Sequence, residues 1–228
     1  DMFKEVYHLV MSALDGYKVC IFAFGQTGSG KTYTMEGNFE NKEERGIIPR
    51  AVEALFENIQ KNEDNGWTFE INSSFQEIYW NQVRDLLSPE NSMKQLNKAA
   101  DYEPTVVTVE HVDDVYHLLE KARENRHVGE TSINERSSRS HSLFRLVINA
   151  KHPTINGGTI SEGAINLIDL AGSERLHKIN TTQDKQLLQE SKAINKSLSC
   201  LRDVISALAN KEKHIPYRNS KLTYLLQP

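Results

Sequence analysis

Only two cysteines, Cys20 and Cys200, occur in the 228 residues. They lie far apart in apolar surroundings, which excludes a disulfide framework and a clustered-thiol metal site. A reducing, intracellular compartment is the expectation. No stretch reaches the roughly 18 consecutive apolar residues that a membrane-spanning helix needs, and no signal-peptide pattern is present. Membrane insertion and secretion are therefore not expected. An overall basic excess is lacking too, since the formal charge is −4. That value hides an asymmetry: from Lys185 to Lys221, eight Lys/Arg stand against three acids. Such a stripe on an otherwise acidic chain suits an acidic partner, although a solvated face has the same composition. Aromatic residues interleave with it only at Tyr217 and Tyr224, so base stacking, and with it a nucleic-acid partner, has little support. With 38% hydrophobic and 25% charged residues, the chain has the length and composition of one ordinary domain with a real core.

What is present is organised around Gly25-Gln26-Thr27-Gly28-Ser29-Gly30-Lys31-Thr32, which fits the phosphate-binding pattern G-x-x-x-x-G-K-[ST]. Val19 to Phe24 upstream is apolar and rich in β-formers, as in a buried strand, and Lys31 to Met35 can open a helix. A Gly/Ser/Thr-rich turn with a stray lysine would share the composition but not this strand–loop–helix order. Glycines let the backbone curl so that N–H groups point at phosphate oxygens. Lys31 would neutralise the β/γ-phosphates, and Thr32 would offer its hydroxyl to Mg²⁺.

Before that loop, Val6, Leu9, Val10, Ala13 and Leu14 recur at helical spacing, with Gly16 placed to stop the helix. After it, Gly46 to Pro49 reads as a turn, followed by a helix from about Arg50 to Lys61. Trp67 to Trp80 reads as strand, 90–104 as a polar surface loop, Thr105 to Val109 as a short strand, and Val115 to Arg126 as a helix. Two further stretches carry chemistry. Asn134 to His141 holds three serines and two arginines ahead of the strand Leu143 to Ala150; alone it is an ordinary hydroxyl-rich loop, but serines can reach Mg²⁺ or an attacking water. The apolar strand beginning at Ile165 ends in Asp169, followed by Gly172, an arrangement that sets a carboxylate beside P-loop Mg²⁺ and lets a backbone N–H approach a γ-phosphate.

The stretches GQTGSGKT, NERSSRSH and DLAGSE, followed by NKSLSCL and HIPYRNSKLT, together resemble the motor domain of a kinesin, from about Leu9 onward. The wording around Ala13 to Ala23 and Lys196 to Leu201 is most similar to kinesin-14 motors, particularly the fungal Kar3-like branch. The resemblance implies a three-layer αβα fold around a mixed, largely parallel sheet. It implies ATP/ADP with Mg²⁺ bound by Gln26, Thr27, Gly28, Ser29, Gly30, Lys31 and Thr32, with Tyr33 against the adenine. It makes Asn134 to His141 switch I and Asp169 to Glu174 switch II. Ser137 and Ser138 would then act at Mg²⁺ and the lytic water, Asp169 at the metal, and Gly172 as γ-phosphate sensor. Arg139 and Glu174 would form a salt bridge that closes with ATP.

Ile194, Leu198, Leu201, Val204, Ile205 and Leu208 form a helical stripe running to Asn210. By the resemblance, Lys192, Lys196, Arg202, Lys211, Lys213, Arg218 and Lys221 would meet acidic tubulin on the microtubule. A cytoskeletal and spindle location, a coiled-coil dimer formed outside these residues, and minus-end movement are implied in the same way. Three departures stand out. An Arg-x-Arg-Pro first strand and a final strand and helix are missing, so exposed edges and poor solubility are expected. Arg202 replaces a usual glycine, and Leu176 to Gln189, the expected switch II loop, lacks glycines. A docking homologue that does not step, and a P-loop enzyme acting on nucleic acid, are the competing readings.

Overall fold

Strand β1 (Lys18–Ala23) runs parallel to β7 (Thr159–Asp169), with Ala23 opposite Asp169. The two strands are far apart in sequence, yet their pairing fixes where both candidate loops emerge. The computed structural model describes residues 2–39, 41–80, 82–89, 93–94, 103–128, 136–153, 159–174 and 182–227. Among these the sheet has seven strands in the order β1-β7-β6-β2-β3-β4, with β6 at His141–His152, β2 at Thr68–Tyr79, β3 at Gln82–Asp85 and β4 at Met93–Lys94. Beside β3, along the same edge of β2, lies β5 (Val107–Val109).

The sheet is mixed, as expected, but it is not largely parallel. Of the described pairings only β1 with β7 is parallel; β7–β6, β6–β2, β2–β3, β2–β5 and β3–β4 are antiparallel. Chain distance explains this. The connections from β2 to β3 and from β6 to β7 are too short to carry a crossover, so those strands must reverse.

Alternation along the strands sends side chains to two faces, and helices cover both. On the first face Ile71, Phe75, Phe144, Leu146, Ile148, Ile165 and Leu167 pack with α1 (Met2–Leu14), α3 (Ile47–Glu63) and α4 (Val112–Val128). On the second, Ile78, Val83, Leu143, Ile168 and Leu170 meet Leu201 of α5 (Thr182–Ala209) and Leu222 of α6 (Lys221–Leu225). The short helix α2 (Lys31–Met35) follows the P-loop. Helix α1 ends where Gly16 takes a φ of +93°, a conformation glycine reaches without strain. Its last turn lies so close to β7 that a Cβ on Gly163 would run into the Ala13 carbonyl.

Several sequence boundaries shift. Helix α3 begins at Ile47 rather than Arg50, because Ile47 and Ile48 are buried and Pro49 is tolerated in a first turn. Helix α5 begins at Thr182, so the second half of the expected loop Leu176–Gln189 is helical. No glycine or proline interrupts 182–209. Within α5 the buried seam passes through Ile194, Cys200, Leu201, Val204 and Ala207, which turns Ile205 and Leu208 outward, 42% and 51% exposed. Of the expected loop 90–104, Met93–Lys94 pairs with Val83–Arg84 and most of the rest lies outside the described residues. Cys20 is exposed rather than embedded in apolar surroundings, whereas Cys200 is buried; both are free thiols. Tyr17, Phe22 and Phe24, on and beside the outermost strand β1, are exposed.

The centre of the first face is an edge-to-face pair, Phe75 and Phe144, with ring centroids 5.6 Å apart. Phe144 is 1% exposed. The change Phe144→Ala is expected to cost about 3–5 kcal/mol, the range for emptying a buried aromatic site, read as a lower midpoint in urea unfolding.

Candidate functional site

Both chain crossings at the carboxyl ends of β1 and β7 are tied by backbone hydrogen bonds. Leu170 N–H donates to the Ala23 carbonyl at 3.3 Å, and Ser173 N–H to the Gly25 carbonyl at 3.1 Å. The P-loop itself turns through Gly28 and Gly30, at φ +78° and +86°. A Cβ added at either would meet nothing within 4 Å, so the concave side of the loop is open. The N-terminus of α2 has no side-chain cap, which leaves its first N–H groups available to an anion. Lys31 lies across this cradle, its Nζ donating to the Gln26 carbonyl at 2.8 Å. Gln26, Thr27 and Ser29 are exposed on the same loop. Tyr33, on α2, is 61% exposed, its ring open to a planar ligand.

Beneath the cradle, Thr32 Oγ1 donates to Asp169 Oδ2 at 2.5 Å. The second carboxylate oxygen, Oδ1, is buried and has no hydrogen-bond donor among the described residues. Burial pushes the Asp169 carboxyl above its usual range, while the Thr32 hydroxyl and the charges of Arg126 and Lys31 pull it back. A hydroxyl, a buried oxygen lacking a donor and an open glycine loop together form a donor set that fits Mg²⁺ carried with phosphates.

The two remaining loops touch each other and the P-loop. Gly172 N–H donates to the Ser138 carbonyl at 2.9 Å. A Cβ on Gly172 would meet the Glu174 carboxylate and the Thr27 hydroxyl, so a larger residue here would displace those side chains. Glu174 accepts from Thr27 N–H at 2.9 Å and from the Thr27 hydroxyl. Desolvation raises the Glu174 carboxyl, but these donors, with Lys31 nearby, hold it below its usual range. Arg139 instead donates to Glu190 Oε2 at 3.2 Å, and Tyr79 Oη donates to Glu190 Oε1 at 2.8 Å. The expected Arg139–Glu174 bridge is therefore not the arrangement here: each member is engaged by another partner. Ser137 and Arg139 lie in a 3₁₀ turn, Arg136–Arg139, whereas Asn134, Glu135 and the Ser137 side chain fall outside the described residues.

Glu190, Tyr79, His141, Ser197 and Arg126 were not singled out from sequence. Glu190 had a signal, being one of only three acids in the basic 185–221 segment. Arg126 had none, because its neighbours come from distant elements: Glu77 at 3.7 Å, Glu36 at 3.9 Å and Ser140 Oγ at 3.3 Å. His141 opens β6 and is buried. Its Nδ1 accepts from Ala171 N–H at 3.0 Å, and its Nε2 meets Ser197 Oγ at 2.7 Å. Burial lowers its pKa to about 4.

Of the candidate basic surface, Lys192, Lys196, Arg202, Lys211, Lys213 and Arg218 are exposed, and Lys221 is half-buried at the start of α6. Lys211 takes a φ of +52° just past the end of α5, turning the chain toward 213–221. Helix α6 is held by a capping box between Ser220 and Thr223 and packs on α5, so the basic residues after α5 are carried by ordered structure.

The family model for the kinesin motor domain matches residues 1–228. The chain is 49% identical over 243 residues to the kinesin-like protein KIN-14N of Oryza sativa subsp. japonica, covering all of this chain and 31% of that protein. It is 50% identical over 244 residues to KIN-14M of Arabidopsis thaliana, covering all of this chain and 32% of the relative. The chain thus spans about a third of the length of these curated relatives. Among solved structures, the motor domain of Kar3 from Saccharomyces cerevisiae superposes with a TM-score of 0.78 at 42% identity, covering 100% of this chain and 68% of that one. The motor and motor homology domain of Kar3Vik1 fused to a synthetic heterodimeric coiled coil gives the same score and identity, covering 100% and 59%.

The depressed His141 pKa has a defined consequence. In the unfolded chain the imidazole titrates near 6.5 and in the folded protein near 4, so between these values the unfolded state binds the extra proton. The stabilisation is complete above pH 6.5 and is lost as pH falls toward 4. From pH 7 to 5 this group removes about 2 kcal/mol. Urea unfolding at both pH values should show that loss reduced by a similar amount in His141→Asn; identical losses would mean that the ring is protonated in the fold.

Proposed function

The chain belongs to the kinesin motor-domain family, and on that premise we propose that it hydrolyses ATP and couples turnover to microtubule binding. The observation that carries this reading is the Thr32–Asp169 contact beneath an open glycine cradle, at the carboxyl ends of the parallel pair β1–β7. Backbone N–H groups of the 26–30 loop and the Lys31 ammonium bind the phosphates, and Tyr33 lies against the adenine. Thr32 and Asp169, with Ser138, would hold Mg²⁺, which when bound neutralises phosphate charge. Ser137 and Ser138 orient the attacking water. Catalysis is positioning and electrostatic stabilisation, with no covalent intermediate on the protein.

The sensing set follows from contacts that can be exchanged. Gly172 N–H can leave the Ser138 carbonyl for a γ-phosphate oxygen. Arg139 can leave Glu190 for Glu174, and Glu174 can leave Thr27. The first step trades a neutral backbone bond for a charge-assisted one and the other two rearrange charge-assisted bonds, so a γ-phosphate can shift the balance. The exposed face of Lys192, Lys196, Arg202, Lys211, Lys213, Arg218 and Lys221 meets acidic tubulin, where opposite charge speeds encounter. Kinship with kinesin-14 proteins supports minus-end movement along cytoskeletal and spindle microtubules. The pairing of a motor with a motor homology domain in Kar3Vik1 supports dimerisation through a coiled coil, with a non-motor subunit as partner.

Steady-state ATP turnover with and without microtubules tests the reading. Microtubules should raise the rate at least about tenfold, and Lys31→Ala should reduce it to background, because that cation stabilises the transferring phosphoryl group. Microtubule binding without stimulated turnover would identify a docking homologue instead. Surface-gliding assays with polarity-marked microtubules read the direction.

A further inference from the structure

His141 bridges three elements that are separate in sequence. It is the first residue of β6, it accepts from the backbone of the 169–174 loop at Ala171, and it reaches α5 at Ser197. The proton positions follow from the partners. Ala171 N–H can only donate, so Nδ1 is the bare nitrogen and Nε2 carries the hydrogen. Nε2–H therefore donates to Ser197 Oγ at 2.7 Å, and that hydroxyl donates to the Ile194 carbonyl of its own helix at 2.7 Å. Every hydrogen in the chain Ala171–His141–Ser197–Ile194 has an acceptor, and the ring is 3% exposed.

We propose that His141 and Ser197 form a neutral, buried strut that transmits the position of the 169–174 loop to α5, making both positioning residues for microtubule-stimulated turnover. The inference rests on the motor reading and specifies how its two surfaces communicate. Ala171 precedes Gly172, whose N–H bonds the Ser138 carbonyl; movement of Gly172 toward a phosphate therefore draws on Ala171. Its bond to Nδ1 must then break, which leaves a buried donor unpaired, or carry the ring with it. A ring that moves takes Ser197 along, because among the described residues Ser197 Oγ is the acceptor that Nε2–H meets. The second link between these loops and α5, Arg139 to Glu190, is a different kind of contact. It pairs a long, partly exposed side chain with a buried carboxylate, and its members can exchange partners. The imidazole holds its two nitrogens in one rigid plane, so the directions of its two hydrogen bonds are fixed relative to each other. It also stays uncharged at neutral pH, so it acts as a spacer of constant length rather than as a pH switch.

The test uses the full-length protein with Ser197→Ala, Ser197→Thr, His141→Asn and the double change His141→Asn/Ser197→Ala. Asparagine keeps an acceptor near Ala171 N–H but is too short to reach Ser197. Basal turnover of Ser197→Ala should stay within about twofold of the unsubstituted protein, while microtubule-stimulated kcat falls at least about fivefold. The microtubule concentration for half-stimulation should be unchanged. Ser197→Thr, which retains the hydroxyl, should restore kcat to within about twofold. The double variant should lose no more stimulation than the more affected single variant, as expected for two groups acting through one contact. Undiminished stimulation in Ser197→Ala, or equal loss of basal and stimulated rates, overturns the strut. If the unsubstituted protein is not stimulated at all, the motor reading falls, and amide exchange across 191–200 decides the strut separately. A nucleotide-dependent change in exchange that is lost in Ser197→Ala and kept in Ser197→Thr supports it; persistence in both overturns it.

Discussion

Asp169 faces Ala23 across two parallel strands, and this register sets the position of every group in the candidate site. The backbone bonds Leu170 to Ala23 and Ser173 to Gly25 extend the pairing past the strand ends and hold the two loops together. From that clamp, Thr32 is placed over the Asp169 carboxylate and Gly172 beneath the P-loop. Because side chains alternate along a strand, a slip of one residue would turn Asp169 away from Thr32 and bury the wrong face of β7 at once. The apolar cores on both sheet faces therefore protect the same register that the chemistry requires.

Around the clamp, carboxylates outnumber the positions in which each could be fully neutralised. Asp169 is engaged by one hydroxyl, Glu174 by the donors of Thr27, and Glu190 by Arg139 and Tyr79. The cations Lys31 and Arg126 act on Asp169 from nearby. Buried and half-buried charges of this kind tolerate few arrangements, and those few are discrete, because intermediate geometries leave a charge unpaired. A polyanionic ligand entering the cradle would change which pairings are favourable. The neutral His141 link lies outside this competition and keeps its partners through electrostatic rearrangement.

Much of this was legible in the residues. The P-loop, the Asp169 strand end and the hydroxyl cluster each carry a local signature, and the structure brings Thr32, Asp169, Gly172, Glu174 and Ser138 into one site. Strand and helix identities were also readable, since β6 alternates, β2 is rich in β-formers, and apolar residues recur at helical spacing in α4 and α5. What was not readable depended on distance in the chain. The dominance of antiparallel pairing follows from which strands are joined by short connections, and the partners of Arg126 come from just past α2, from β2 and from the end of the 136–140 segment. The Arg139–Glu190 pairing was hidden because the two residues stand 51 positions apart and no local pattern joins them. The drift of the α5 seam, which exposes Ile205 and Leu208, reflects the shape of the surface beneath the helix, to which sequence periodicity is blind.

Helix α5 is 28 residues long, about 42 Å at 1.5 Å per residue. Glu190 and Ser197, through which it meets Arg139 and His141, are seven residues apart and so lie on nearly the same side, two turns from each other. Glu190 is in the half nearer the N-terminus and Ser197 just past the midpoint, while Arg202 and the turn at Lys211 lie beyond both. The helix is mounted as a lever on a short base. A tilt of about 5° pivoting at Ser197 would carry Ala209, about 18 Å away, through roughly 1.6 Å, so an adjustment at the imidazole too small to disturb the sheet arrives at the basic end as a displacement comparable to the length of a covalent bond.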